Sequence, residues 1–111
     1  MTPSGKKMET VKNKLMQFAK DRNWEPFHSP KNLAMSLSCE AAELLECFLW
    51  LTDDQSFRIM EDPQQKKAVE HEMADVFNCL LYLATVLDVD LIKVAHEKIN
   101  LNAQKYPIPK S

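Results

Sequence analysis

Ser38-Cys39-Glu40-Ala41-Ala42-Glu43-Leu44-Leu45-Glu46 and His71-Glu72-Met73-Ala74-Asp75-Val76-Phe77 are the two stretches on which the fold of this chain turns. Each sets two carboxylates three residues apart in an otherwise apolar, alanine- and leucine-rich run. That spacing returns to the same face of an α-helix after about one turn, so both motifs read as helical, with their acids on one side. Two such helices laid side by side bring Glu40, Glu43, Glu72 and Asp75 together. Facing carboxylates repel, so either some keep their protons at raised pKa or a divalent cation sits among them. Oxygen-only donors select a hard ion, magnesium or manganese.

Outward from these motifs the chain reads as all-α. Met8, Val11, Leu15, Phe18 and Ala19 follow three- and four-residue steps and predict a first helix from Met8 to Arg22, after a flexible 1–7 segment. The loop Asn23 to His28 follows, and Ser29-Pro30 supplies an N-cap and first helical residue for a second helix reaching Leu51. Thr52-Asp53-Asp54 opens a polar connection in which Ser56 to Met60 make one extra turn. Asp62-Pro63 repeats the cap-plus-proline start, with Gln65 placed to complete a capping box on a third helix running to Leu87. Asp90 caps a fourth through Gln104, and the prolines at 107 and 109 force residues 106–111 into an extended tail. Four helices with short links predict a four-helix bundle in a single domain spanning residues 1–111. From Val76 to Leu87 the third helix is apolar on nearly every side, more than one small bundle covers, which predicts an oligomer.

Composition removes several functions. The one glycine, Gly5, leaves no glycine-rich loop to cradle a phosphate, and a net charge of −2 without a basic stripe speaks against nucleic acid. Met1 to Lys7 precede no uninterrupted apolar run, so neither a signal peptide nor a membrane anchor is expected, and the expected location is the cytoplasm. Cys39, Cys47 and Cys79 form no Cys-x-x-Cys pair; the first two would stand about 12 Å apart along one helix, and all three read as buried, reduced thiols.

A lone Glu-x-x-Glu is weak evidence, because exposed helix faces are rich in glutamate. Here Leu37, Leu44 and Leu45 flank one motif and Val69, Val76 and Phe77 the other, which sets the acids at buried faces where a metal offsets their cost. Glu46 lies one turn beyond Glu43, and His71 points about 100° away from Glu72, so neither is a first-choice ligand. A di-iron carboxylate bundle lacks its helical Glu-x-x-His: Glu25 and His28 have that spacing only across a proline-containing loop.

The arrangement resembles the MazG-like all-α nucleoside triphosphate pyrophosphohydrolases, and most of all their dCTP pyrophosphatase branch. The resemblance rests on both acidic motifs, on Trp24-Glu25-x-Phe27-His28-x-Pro30-x-Asn32-Leu33, on Phe48-x-Trp50, and on Lys98-x-x-x-Asn102-x-x-Lys105-Tyr106-Pro107. It implies that Glu40, Glu43, Glu72 and Asp75 bind magnesium, that Trp24, Glu25, Phe27, His28, Asn32 and Trp50 shape a nucleotide pocket, and that Lys98, Asn102 and Lys105 contact phosphate. It also implies a tetramer built as a pair of dimers. Leu15 and Cys79 depart from that branch, where a histidine and a tyrosine touch the nucleotide. Stacking without such readers tolerates several bases, so dCTP is expected to be accepted together with another deoxynucleotide such as dATP. Other members of the superfamily, acting on dUTP or phosphoribosyl-ATP, and a non-catalytic helical interaction module are the alternatives.

Overall fold

The computed structural model describes residues 3–110, which are helical without any strand among them. Five helices form rather than four: α1 (Pro3–Asp21), α2 (Pro30–Glu46), α3 (Asp53–Phe57), α4 (Pro63–Val86) and α5 (Leu91–Lys105). Short 3-10 turns at Glu25–Phe27 and Ile59–Glu61 lie between them. Helix α1 begins five residues before the expected Met8, so most of the segment expected to be flexible is its first turns; Met1 and Thr2 lie outside the described residues.

The starts of the helices follow the caps read from the sequence. Ser29 accepts from the Asn32 backbone N–H at 3.1 Å, Asp62 from that of Gln64 at 2.9 Å and Asp90 from that of Lys93 at 3.1 Å. The reciprocal capping pair forms elsewhere than expected. Thr52 accepts from the Gln55 N–H at 3.2 Å while the Gln55 side chain accepts from that of Thr52 at 2.9 Å, so the supposed polar connection starts α3. Helix α2 stops at Glu46 rather than Leu51, and tight turns carry the chain past Trp50.

Two helices end on a left-handed residue that is not glycine. Asn23 (φ 58°) and Asp88 (φ 55°) take that role. The N–H of the following residue reaches five residues back in each case, Trp24 to Ala19 at 2.9 Å and Val89 to Ala84 at 2.8 Å. This is the hydrogen-bond pattern of a Schellman cap, with asparagine and aspartate tolerated where glycine is usual.

Helices α2 and α4 form the main packed pair, α1 lies on α4, and Ile59 seats the second 3-10 turn against α4. Ala19, Leu33 and Tyr82 meet at the centre, with Leu15, Met16 and Leu83 packed around them. Helix α5 contributes no buried residue and makes only marginal contact with the rest. On α4, Leu81, Tyr82 and Ala84 are buried whereas Phe77, Leu80 and Leu87 remain exposed. The radius of gyration is 17.1 Å, against about 13 Å for a compact chain of this length. The accessible surface is 9148 Å², where roughly 6,300 Å² is usual for a monomer of this mass. Among the described residues no helix is long and apolar enough to cross a membrane.

Candidate functional site

Antiparallel apposition of α2 and α4 brings the two acidic motifs face to face. One ligand atom from each of Glu40, Glu43, Glu72 and Asp75 lies within 4.8 Å of all the others. Glu40 and Glu72 are half-buried, Glu43 and Asp75 exposed. One oxygen of Glu40 and one of Glu72 are buried with no hydrogen-bond partner. Burial first, then the charges of Glu43 and Asp75, pushes the Glu40 carboxyl above its ordinary value of 4.5. Burial and then Glu43 raise Glu72 in the same way. Glu43 lies against both and is the hub of the cluster.

Orphaned buried oxygens and mutual repulsion leave a site short of positive charge. A bound cation would supply it, and the donor set, four carboxylates without sulfur or imidazole, is the kind that suits a hard ion. Among the described residues no cationic side chain pairs with the cluster, and the ion pair they form is Lys12 with Glu9, at 3.3 Å on α1.

A cleft of about 580 Å³ opens beside the acids and shares Asp75 with them. Its volume falls within the range of about 300–1,000 Å³ usual for small-molecule sites. Trp24, His28, Cys79 and Leu15 are among the residues that line it. The aromatic wall is built by edge-to-face contacts: Trp24 on Phe18 with ring centres 5.6 Å apart, and His28 on Tyr82 at 4.6 Å. Nδ1 of His28 is buried and unpartnered. The Cys79 thiol donates to the Leu33 carbonyl at 3.3 Å, tying α4 to α2, and burial together with the Glu40 charge raises it above its usual 9.0.

Other expected pocket residues stand elsewhere. Phe27 is 68% exposed and Trp50 89% exposed, the latter because α2 ends before it. Glu25 lies outside the cleft, where its charge, after burial, raises the Tyr82 hydroxyl. Asn32 does structural work: its amide donates to the Phe27 carbonyl at 2.9 Å and pins the aromatic loop to α2. Lys98, Asn102 and Lys105 are exposed on α5 and are not among the residues that line the cleft of their own chain. Of the thiols, Cys39 is exposed rather than buried, while Cys47 and Cys79 are half-buried, all three free.

Several lining groups escaped the sequence reading: Lys14 and Phe18 from α1, Ser36 from α2, Asn78 and Tyr82 from α4. Phe18 was legible as core, and Asn78, an amide inside an apolar run, was the signal overlooked.

The same architecture is found in known proteins. A family model described as the MazG-like family matches residues 35–111, which include both acidic motifs. The dCTP pyrophosphatase 1 proteins of Rattus norvegicus and Homo sapiens are each 35% identical to the chain, over 101 and 100 residues, or 91% and 90% of its length. The chain spans 59% of the length of these relatives. The crystal structure of a pyrophosphatase from Archaeoglobus fulgidus matches with a TM-score of 0.84 at 41% identity, covering 91% of this chain and 93% of that one. With the family match spanning all four clustered acids and the structural match covering most of the fold, the chain belongs to the MazG-like family.

Proposed function

We propose that the chain is a magnesium-dependent pyrophosphohydrolase that splits deoxynucleoside triphosphates, dCTP among them, into the monophosphate and pyrophosphate. Its role would be to clear the cytoplasmic nucleotide pool of unwanted members. The observation that carries this reading is the junction at Asp75: four convergent carboxylates short of positive charge open directly onto an aromatic-walled cleft of nucleotide size. The names of the relatives, dCTP pyrophosphatase 1 and pyrophosphatase, point the same way.

Glu40, Glu43, Glu72 and Asp75 would hold the metal, magnesium or manganese. Bound there, such ions neutralise phosphate oxygens and lower the pKa of a bound water. In our reading Glu43, which lies against both half-buried acids, orients that water toward the α-phosphorus and accepts its proton. Trp24 offers an aromatic face for the base, worth about 1–3 kcal/mol per stacked base. His28 lines the same wall.

The excess accessible surface over a compact monomer is of order 2,900 Å², the size of an obligate interface. It supports a homo-oligomer, in our reading a tetramer assembled from two dimers. A hydrolysis screen over the common nucleoside triphosphates, dUTP and phosphoribosyl-ATP included, with magnesium present and chelated, tests the function. Release of pyrophosphate from dCTP only when magnesium is present is the expected result; hydrolysis of none of them refutes it.

A further inference from the structure

Asn78 is half-buried in the middle of α4, between Phe77 and Cys79, where an amide is costly unless something bonds to it. Its side chain has no hydrogen-bond partner among the described residues. It lines the cleft, and it stands one helical turn from Asp75, about 4.5 Å along the axis. Ser36 is one turn from Glu40 on α2, and Lys14 enters the same cleft from α1. Neither side chain is bonded or ion-paired among the described residues. Three unpaired polar groups from three helices thus form a polar belt in the one cleft that holds both Asp75 and the aromatic wall.

We propose that Asn78 reads the base of the substrate, with Lys14 and Ser36 completing the polar belt; this rests on the pyrophosphohydrolase reading above. A nucleotide with its phosphates at the acids carries its base into the cleft at or beyond the belt. An amide offers an acceptor beside a donor, so it pairs two-point with a base edge bearing an amino group next to a ring nitrogen, as cytosine and adenine do. Lys14 only donates and suits a carbonyl or phosphate oxygen. The belt supplies polar readers that Leu15 and Cys79 do not.

The test compares kcat/KM for dCTP, dTTP and the base-free 2′-deoxyribose 5-triphosphate in wild type, Asn78→Leu and Asn78→Asp. Binding of 2′-deoxycytidine by calorimetry is measured alongside. Asn78→Leu is expected to lower dCTP hydrolysis relative to the base-free substrate by roughly 5- to 150-fold, the worth of a two-point contact. It should weaken deoxycytidine binding in parallel. Asn78→Asp, which can only accept, meets one matching and one opposing group on cytosine and on thymine alike, so it should lower dCTP and dTTP hydrolysis together relative to the base-free substrate. Equal losses on dCTP and the base-free substrate would overturn the assignment. Should wild type split no nucleotide at all, the pyrophosphohydrolase reading falls instead; Asn78 is then judged on deoxycytidine binding, and absent or unaltered affinity overturns it.

Discussion

Metal-free protein should lose stability as the pH rises, and magnesium should reverse that trend. Glu40 and Glu72 hold their protons more tightly in the folded chain than at the ordinary value of 4.5. A carboxyl whose folded pKa is raised contributes stability that is fully present below its unfolded pKa and is lost as pH climbs through the folded one. The window therefore opens near pH 4.5 and extends upward. Little opposes it, since the Lys12–Glu9 pair is exposed and such pairs are worth about 0–1 kcal/mol. The raised Cys79 and Tyr82 groups titrate above 9.0 and 10.0, outside the window. Magnesium requires the ionised carboxylates, so its stabilisation grows over the same range. At 100 times its dissociation constant it adds about 2.7 kcal/mol, or roughly 10 °C in Tm for a chain of this size. Calorimetric melts from pH 4.5 into the neutral range, in chelator and in magnesium at one fixed protein concentration, read both effects. A metal-free Tm that rises across that window, or a Tm indifferent to magnesium at neutral pH, would refute the argument that the four acids repel and await a cation.

Glu43→Gln and Asp75→Asn should each abolish hydrolysis while circular dichroism shows the helices intact and the metal-free Tm unchanged or higher, since both relieve repulsion. Hydrolysis in oxygen-18 water should label the monophosphate and leave pyrophosphate unlabelled; label in pyrophosphate would move the attack away from the α-phosphorus. Leu33→Ala, at a position 5% exposed between α2 and α4, should cost about 2–5 kcal/mol in urea unfolding. Light scattering should give a mass above the 12.8 kDa of one chain, and Leu80→Lys on the uncovered face of α4 should lower it.

The helices and the four acids were legible because each rests on local chemistry: periodicity, caps and an i, i+3 spacing. What was not legible depends on how helices end and which way they leave. Asn23 and Asp88 do the work of glycine, so the turns they make carry no glycine signal. Thr52 followed by two aspartates looked like a solvated link, yet its hydroxyl and Gln55 start a helix. The family resemblance sets Trp50 at the pocket, whereas in this chain it stands 89% exposed on the turns beyond α2, which ends four residues before it. Lys14, Ser36 and Asn78 come from three separate helices, and only the packing of α1 and α2 on α4 makes them neighbours of one cleft.

Helix α5 holds the remaining consequence. It is 15 residues long, capped by Asp90 and closed by Lys105, yet none of its residues is fully buried against its own chain. A free helix of about 12–15 residues is marginal in water. Its backbone amides should therefore exchange with deuterium far sooner than those around Leu81 and Tyr82, unless another subunit lies over them. Exchange along α5 would then vary with protein concentration, and proteases would find their first cut there in dilute solution.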